Sequence, residues 1–415
     1  MFGARTSTTP KKVLVVCQHF WPEAFRINDI CDFLVEHDCD VEVLCGIPNY
    51  PQGTFFSGYS YFKNRKQRHN NITIRRAFEI PRGSNTNIRI FLNYVSFPIA
   101  SLFQVPRLLA KKYDRILLYQ LSPVMMSIAG IIVGTLRNTE TTMYVLDLWP
   151  ENLFSVLKIK HEVLRQLAAT VSHWHYKHVD KLVVLSEKMK SRLVDVTNIP
   201  QEHIIVLPQA CETIYQTPIH DARLAAKFAK GFNILFTGNI SPAQSFETLI
   251  AAATLLKSDG ITGINWIIVG DGMSRAWLEK EVEKAELSDS FYFEGYKPIE
   301  DIPKYTTLAD LLIGCLVTSD LLDATIPAKV MSYFAAGKPL VLAMDGEVQS
   351  LVNNTIKCGY AGPTGDAQIL ADNIKKVHAL SPKERTQMGE RGREYHLKHF
   401  ERNIILNKLY DFIFR

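Results

Sequence analysis

At 415 residues the chain is too long for one ordinary domain, and its 47% hydrophobic content is enough to build two buried cores. Its seven cysteines are odd in number and show no C-x-x-C spacing, which excludes a disulfide framework and predicts reduced thiols in a cytoplasmic protein. The longest apolar run, VMMSIAGIIVGTL, is too short to cross a bilayer. No apolar signal-peptide core precedes the first strand, so we expect no cleaved leader.

Short β-branched runs alternate with helix-length amphipathic stretches along the first half of the chain. The first predicted helix covers residues 27–37. Because the strands are apolar throughout, they predict a parallel sheet covered on both faces. The predicted strands are KVLVVC, VEVLC, ITIRR, RILLY, TMYVLD and KLVVLS.

Basic residues are concentrated in the same half. Residues 60–115 contain twelve Lys or Arg against two acids, Glu79 and Asp114. Phe91, Tyr94 and Phe97 recur every third residue and suit one face of a helix ending before Pro98. These features predict docking on an anionic membrane surface. The alternative is that the apolar face is core and the charges are solvated.

The strand and helix pattern restarts in the second half of the chain. Its predicted strands are NILFTG, NWIIVG, FYFEG, DLLIGC and KPLVLA, with a helix over residues 245–258. We expect a first domain over residues 1–207, a linker over 208–231 and a second domain over 232–395. We expect residues 396–415 to form a C-terminal helix, which could pack on the first or on the second half. Ligands bind at the carboxyl ends of such strands, so two facing domains predict a site in the cleft between them.

Three strand ends of the second half carry glycine. Gly238 stands in LFTGNISPAQSFETL, before Asn239 and Gln244, and Gly270 precedes Asp271 in VGDGMSRAWLEKE. Glycine lets backbone approach a ligand, and the following helix start favours phosphate. Each stretch is also consistent with a plain strand-turn-helix. The third strand end offers backbone groups to a nucleotide base at two residues, Gly295 and Tyr296.

The stretch TIPAKVMSYFAAGKPLVLA is the most informative of the second half. Pro327 suits the first turn of a helix, and Gly337 suits its C-cap. Lys329 in the first turn opposes the helix dipole, which is unfavourable unless an anion such as a diphosphate lies there. The sequence therefore predicts anion binding at this helix start.

Taken in order, these motifs resemble the second half of GT-B glycosyltransferases of family 4. Further stretches are similar to a subgroup that builds bacterial O-antigen, capsule and exopolysaccharide chains and includes N-acetyl-L-fucosamine transferases. Those stretches are QHFWPEAFRINDI, GIPNYPQGTFFSGY, LDLWPENL and LPQACE. The resemblance implies two Rossmann-like parallel-sheet domains facing across a cleft. It also implies retaining transfer of a sugar, from a nucleotide-sugar donor that is UDP-linked, to a lipid-linked saccharide, without a metal ion or other cofactor.

The resemblance assigns the donor to the second domain. The residues it places near the diphosphate, ribose or base are Gly238, Asn239, Gln244, Gly270, Asp271, Gly295, Tyr296, Pro327, Ala328, Lys329, Val330 and Ser332. The chain departs from the family at two glutamates spaced eight apart, where it has Ala324 and Ser332, and at a usual lysine, where it has Gln244. These departures put the ribose contact and the identity of the donor in doubt.

The resemblance assigns the acceptor to the first domain. Asp147 ends a strand and precedes Glu151, and either carboxylate could serve the anomeric centre as a catalytic group. The alternative for Asp147 is an N-cap for the following helix. The predicted acceptor-binding residues are Glu23, Arg26, Asn28 and Asn49.

Other functions remain open from the sequence. The HWHYKH stretch (residues 173–178) invites a metal site, but only His175 and His178 share a helix face, which favours a solvated helix. A nucleotide-sugar 2-epimerase of the same architecture would bind the same donors. A non-catalytic sugar-nucleotide-binding protein would account for the missing glutamates.

Overall fold

The structure is a computed structural model, and it describes residues 10–83, 86–157, 161–318 and 326–415. Ala324 lies outside the described residues. The chain divides into two compact units. The first runs to Pro208 and takes in the end of the chain, Leu406–Arg415, and the second is Gln209–Ile405. Residues 209–231, predicted as a linker, therefore belong to the second unit.

The strands alternate with helices along both units. The strands are β1 (Lys11–Val16), β2 (Cys39–Cys45), β3 (Lys66–His69), β4 (Ile72–Arg76), β5 (Arg115–Gln120), β6 (Thr141–Val145), β7 (Lys181–Val184), β8 (Ile204–Val206), β9 (Phe232–Thr237), β10 (Ile264–Val269), β11 (Phe291–Gly295), β12 (Leu311–Cys315), β13 (Leu340–Ala343) and β14 (Gly359–Gly362).

The helices cover both faces of the sheets. They are α1 (Arg26–Glu36), α2 (Asn87–Leu102), α3 (Val105–Leu109), α4 (Ile128–Arg137), α5 (Glu151–Leu157), α6 (Glu162–Lys177), α7 (Glu187–Val196), α8 (Ala222–Lys227), α9 (Phe246–Ser258), α10 (Arg275–Lys284), α11 (Ile302–Leu308), α12 (Ala328–Ala336), α13 (Glu347–Ser350), α14 (Ala367–His378), α15 (Pro382–His399) and α16 (Arg402–Phe414).

The first unit is built on one sheet in the order β3-β4-β2-β1-β5-β6-β7-β8. All neighbouring strands pair in parallel except β3 and β4, which are antiparallel. Every strand predicted for this half is present, and the central ones are buried on both faces. The polar edge strand β3 was not predicted, because its sequence KQRH has no apolar side chain to signal a strand.

The helix predicted around Phe91 does not end before Pro98. It continues through this proline to Leu102 as α2. Tyr94 and Phe97 are buried whereas Phe91 is exposed, so the three aromatics do not share one solvent-facing stripe. Burial of the two rings offsets the cost of an internal proline, which is about 3 kcal/mol.

The second unit contains a parallel sheet in the order β11-β10-β9-β12-β13-β14. Its five predicted strands are all present, and β14 was not named from the sequence. Strands β11, β10 and β9 are neighbours, so their carboxyl ends meet at one edge. Together the two sheets confirm the predicted parallel-sheet α/β class.

The end of the chain packs on the first unit. The carbonyl of Ile413 accepts a hydrogen bond of 2.7 Å from Arg115 Nε, and that of Phe412 accepts one of 2.9 Å from Lys181 Nζ. Two cations thus meet the carboxyl end of α16, where the helix dipole favours positive charge. Among the described residues, no helix combines the length and the apolar content that crossing a membrane would need.

Candidate active site

Three glycines end three neighbouring strands of the second sheet. Gly238 follows β9, Gly270 follows β10 and Gly295 ends β11. The Gly238 amide donates to the carbonyl of Val269 over 2.9 Å, and the Gly270 amide donates to that of Gly295 over 2.9 Å. Their φ angles are 134°, 146° and 70°, which other residues rarely adopt. We call these three residues the glycine ledge.

Lys329 lies beside this ledge. A Cβ atom on Gly238 would stand 3.4 Å from Lys329 Nζ. The ammonium lies 4.0 Å from the centre of the Phe236 ring and donates a hydrogen bond to Gln244 Oε1. Over the described part of the chain, no carboxylate pairs with it. Lys329 and Gln244, both predicted to border the diphosphate, therefore come together.

The surroundings of Lys329 do not suit a charged ammonium. Burial lowers its pKa to about 7. The residue occupies the first turn of α12, where the helix dipole opposes a cation. Pro327 is the N-cap of this helix and Ala328 its first residue, so Pro327 lies one position earlier than predicted. A bound anion would compensate both the burial and the dipole.

The other predicted donor residues on the strand ends lie at the surface. Asn239 is exposed, and its Oδ1 is so close to Gly272 that a Cβ there would come within 2.4 Å of it. Asp271 Oδ1 accepts from the Gly272 amide over 2.8 Å. Tyr296 is 75% exposed, which leaves its ring available to stack on a base.

Two predicted donor residues are turned away from solvent. Val330 is fully buried, and its amide donates to the Pro327 carbonyl over 2.9 Å. Ser332 is buried as well, and its hydroxyl donates to the Ala328 carbonyl over 3.3 Å and lies 3.6 Å from Cys211 Sγ. These contacts argue against a direct role for either side chain.

Arg275 was not predicted from the sequence as a residue of this site. It opens α10, its Nη1 lies 3.4 Å from Asp271 Oδ2, and its Nε lies 2.9 Å from Glu279 Oε1. A Cβ on Gly295 would stand 3.4 Å from Nη1. The guanidinium is therefore a second cation beside the glycine ledge. Its position directly after GDGMS was the signal that could have identified it.

In the first unit, Asp147 lies just beyond the carboxyl end of β6. Its Oδ2 accepts hydrogen bonds from the Ser122 amide over 2.9 Å and from the Ser122 hydroxyl over 2.8 Å. Ser122 Oγ in turn accepts from Trp149 Nε1 over 2.9 Å. Burial raises the pKa of Asp147, and the bonds from Ser122 oppose that rise. The carboxylate is thus hydrogen-bonded to the loop that follows β5. These contacts differ from those of an N-cap, which would accept from the first backbone amides of α5.

Glu151 is the first residue of α5. One carboxylate oxygen lies 3.6 Å from Arg192 Nη2, and the other is buried with no hydrogen-bond partner among the described residues. The contact with Arg192 orients this carboxylate at the start of α5.

The predicted acceptor residues Glu23 and Asn49 are linked. Glu23 Oε1 accepts from the amides of Asn49 and Tyr50 over 2.8 and 2.7 Å, and its carboxylate lies 3.1 Å from His19 Nδ1. Both Glu23 and Asn49 are buried. Glu23 therefore fixes the loop after β2 to the loop after β1, which is a structural role.

The other two predicted acceptor residues lie at the start of α1. Asn28 Oδ1 accepts from the Trp21 amide over 3.0 Å, and its Nδ2 donates to the Glu23 carbonyl over 2.7 Å. Arg26 is half-buried. Burial raises the pKa of Tyr119, and the charge of Arg26 opposes that rise. Asn28 thus holds its own loop, whereas Arg26 lies near the carboxyl end of the sheet.

A second buried carboxylate of the first unit was not predicted. Glu79 Oε1 accepts from Gln18 Nε2 and Asn93 Nδ2, each over 2.7 Å. Burial raises the pKa of Glu79. A Cβ on Gly46 would clash with Glu79 Oε2 at 1.7 Å, so the glycine leaves room for the carboxyl. No sequence motif marks this network, because its members come from four separate segments.

The histidine stretch does not gather into a metal site. His175 Nδ1 pairs with the Val171 carbonyl oxygen at 2.8 Å and His178 Nδ1 with that of Trp174 at 2.7 Å, both within their own helix turn. In the part of the chain that the structure describes, no three His, Cys, Asp or Glu side chains are grouped to hold a metal ion.

Comparison with known proteins is consistent with this geometry. The profile of the family "Glycosyl transferases group 1" matches residues 223–395. A protein of Escherichia coli (strain K12) described as a colanic acid biosynthesis glycosyl transferase, WcaI, is 23% identical over 348 residues, which span 80% of this chain and 83% of the relative. The amylovoran biosynthesis glycosyltransferase AmsK of Erwinia amylovora is 30% identical over 139 residues, 33% of this chain and 34% of AmsK.

Solved structures share the fold over nearly the whole chain. Anabaena Alr3699/HepE in complex with UDP and glucose has a TM-score of 0.69 and 15% identity, covering 97% of this chain and 98% of its own. WaaG, a glycosyltransferase involved in lipopolysaccharide biosynthesis, has a TM-score of 0.66 and 16% identity, covering 97% and 99%. The glycine ledge and the family match thus lie in the same unit: the chain has the GT-B fold, and its residues 223–395 are similar to the group 1 glycosyl transferases.

Proposed function

We propose that the chain transfers a sugar from a UDP-sugar to a lipid-linked saccharide in bacterial surface polysaccharide synthesis. The observation that carries this proposal is Lys329, a half-buried cation beside the glycine ledge with no acidic partner among the described residues. The family match supports glycosyl transfer. The relatives WcaI and AmsK, named for colanic acid and amylovoran synthesis, support the class of product.

The donor diphosphate would lie between Lys329 and the backbone of Gly238. A diphosphate there would compensate the positive charge of the ammonium and the positive end of the α12 helix dipole. Gln244 would keep the ammonium in place. Tyr296 and Gly295, on the neighbouring strand end, would border the base. UDP is the nucleotide we favour because HepE has been solved with UDP and glucose.

The first unit would supply the acceptor side of the reaction. Asp147 is held by Ser122 at a strand end, in a half-buried position where a carboxylate can stabilise developing positive charge. We propose that it acts at the anomeric carbon and that the configuration of this carbon is retained. Arg26 and Glu151 are further candidates for acceptor contacts, and no metal ion would be required.

A transfer assay tests the proposal. Purified protein is incubated with radiolabelled UDP-sugars and a lipid extract from a polysaccharide-producing bacterium. The account predicts label in the lipid fraction, with an anomeric coupling constant in the product equal to that of the donor. A chelator should leave turnover unchanged. Epimerised nucleotide-sugar without transfer would favour an epimerase, and binding without either reaction would favour a non-catalytic protein.

The Lys329→Met variant is the control for this assay. Methionine keeps most of the apolar stem of Lys329 but removes the cation that lies over the Phe236 ring. Transfer should fall with the variant if donor diphosphate binding depends on Lys329. Equal transfer by both proteins would mean that the donor binds elsewhere.

A further inference from the structure

Helix α2 presents an apolar face to solvent. Six large apolar side chains along it and at its end are between 38% and 80% exposed. Single exposed apolar residues are common at protein surfaces, but a continuous row of them is not. We call this row the α2 face, and its members are Ile88, Phe91, Leu92, Ile99, Leu102 and Phe103.

The six side chains point in one direction. At about 100° per residue, positions 88, 91, 92, 99, 102 and 103 fall within an arc of about 120°. The opposite side of the helix, with Tyr94, Phe97 and Ser101, is buried. The helix is therefore apolar on both sides, and the described residues cover only one of them.

The orientation of α2 is fixed by a polar anchor. Asn93 is fully buried, and its Nδ2 donates to Glu79 Oε1 over 2.7 Å and to the Ile80 carbonyl over 2.8 Å. At the start of the helix, Thr86 Oγ1 accepts from the Arg89 amide over 3.4 Å. The helix cannot rotate to bury the α2 face without breaking these bonds.

The segment that carries the α2 face has charged residues of one sign only. Residues 80–113 include no Asp or Glu. Arg89 and Lys112 are exposed and make no ion pair with any described residue. Arg107 and Lys111 are engaged with Glu42 instead, at 3.4 Å in the case of Arg107. Arg89 within α2 and Lys112 beyond its end are thus exposed cations of this segment that an anionic partner can meet.

We propose that the α2 face is the surface with which the first unit docks on anionic phospholipid, lying parallel to the membrane plane. This inference rests on the proposed function, since a lipid-linked acceptor lies at such a surface. The helix of 16 residues is about 24 Å long, and an apolar row of this length with cations beside it is typical of interfacial helices. A second copy of the chain is disfavoured, because it would bring like charges together.

The residues involved differ from those that sequence reasoning chose. Arg65 is one of the twelve basic residues of the stretch 60–115 that predicted docking, but its Nε donates to the Arg76 carbonyl over 2.8 Å and its Nη1 to that of Tyr61 over 2.7 Å. Arg76 is itself buried. Lys66 and Arg68 are exposed, but they lie on strand β3 and not on α2.

Vesicle co-sedimentation tests the proposal. The full chain is mixed with vesicles of phosphatidylcholine alone or of phosphatidylcholine with phosphatidylglycerol, without nucleotide. Binding should require the anionic lipid and should weaken with added salt. The double variant Phe91→Gln/Phe103→Gln should bind roughly tenfold more weakly or worse, and so should Arg89→Gln/Lys112→Gln.

Phe62→Gln is the matched control. Phe62 is 93% exposed but belongs to a loop outside the α2 face. This variant should bind vesicles like the unchanged protein. Equal binding to neutral and anionic vesicles, no binding to either, or equal loss in the Phe62 variant would overturn the proposal. A dimer in sedimentation equilibrium that the α2 variants dissociate would assign the face to a second copy and would overturn it as well.

Two titrations separate this inference from the proposed function. UDP-glucose binding is measured on the same preparations without vesicles. Vesicle binding without nucleotide binding would keep the docking surface and contradict the function. Nucleotide binding without vesicle binding would contradict the docking surface and keep the proposed function.

Discussion

The ammonium of Lys329 stands 4.0 Å from the centre of the Phe236 ring. The electron-rich face of this ring is a weak substitute for an anion. It holds the cation beside the glycine ledge, so little rearrangement would be needed for a donor diphosphate to bind there as proposed. A site preformed in this way loses less free energy to side-chain ordering.

Binding of UDP-glucose should be coupled to proton uptake. Burial lowers the pKa of Lys329 to about 7 in the free protein, and a bound diphosphate would raise it. Below pH 7 the ammonium is already charged, so affinity should be flat. Above pH 7 the free lysine is neutral, so Kd should rise by up to about tenfold per pH unit until the pKa of the complex is reached.

Calorimetry in two buffers of different ionisation enthalpy measures this uptake. The diphosphate of UDP-glucose is esterified at both ends and contributes no titrating group near neutrality. Lys338→Met is the control, because burial lowers the pKa of Lys338 too, but its Nζ donates to the Thr307 carbonyl. Proton uptake that persists in Lys329→Met would show that Lys329 is not the group that takes up the proton.

Replacing Gln244 by glutamate should weaken donor binding. A carboxylate at this position would pair with Lys329 Nζ and compete with the diphosphate for it. We expect a loss of affinity of roughly tenfold, close to the strength of a half-buried ion pair. Gln244→Ala, which removes only a neutral acceptor, should bind within about threefold of the unchanged protein. If both variants bind alike, Lys329 does not contact the donor.

Asp147→Asn should lower turnover far more than donor affinity. Asparagine still offers an oxygen to the amide and hydroxyl of Ser122, so the fold should be kept. We expect kcat to fall by about a hundredfold or more, as for other groups that act in the transition state. Steady-state kinetics with a donor titration separates the two quantities. A large drop in the unfolding temperature with unchanged kcat would make Asp147 a structural residue.

The glycine ledge should be intolerant of side chains. In Gly270→Ala the new Cβ would lie 1.8 Å from the Gly238 carbonyl oxygen, at a φ of 146°. Urea unfolding should show a loss of roughly 3 kcal/mol or more. Gly260→Ala is the matched control. Its φ of 74° is also positive, but nothing lies within 4 Å, so about 1–2 kcal/mol is expected. Similar losses at both positions would mean that the ledge is not tightly packed.

The sequence was sufficient for elements whose signal is local. Apolar runs such as those ending at Val16 and Val269 marked the strands, and Gly337 marked the end of α12 with a φ of 65°. The cation at the start of α12 was recognised because its position contradicts helix electrostatics. Gln244 and Lys329 were both placed near the diphosphate by the family resemblance, and the hydrogen bond between their side chains is a finding of the structure.

Features that depend on contacts between residues far apart in the chain could not be predicted from the sequence. Aromatic spacing grouped Phe91 with Tyr94 and Phe97, but the three-residue period drifts around the helix and only Phe91 remains exposed. The Glu79 carboxyl is satisfied by Gln18 and by Asn93, residues far away in the chain. Periodicity describes one element at a time and contains no information on which element covers it.

Calorimetric titration of UDP-glucose into the unchanged protein and into Lys329→Met tests the donor assignment most directly. Both titrations are done near pH 6, where the lysine is charged. The account predicts that the variant binds at least about a hundredfold more weakly, the loss expected when a charge-assisted phosphate contact is removed. The variant without ligand should be as stable as the unchanged protein or more so, because a desolvated cation has been removed. Equal affinities for UDP-glucose would contradict the assignment of Lys329, and with it the donor site at the glycine ledge.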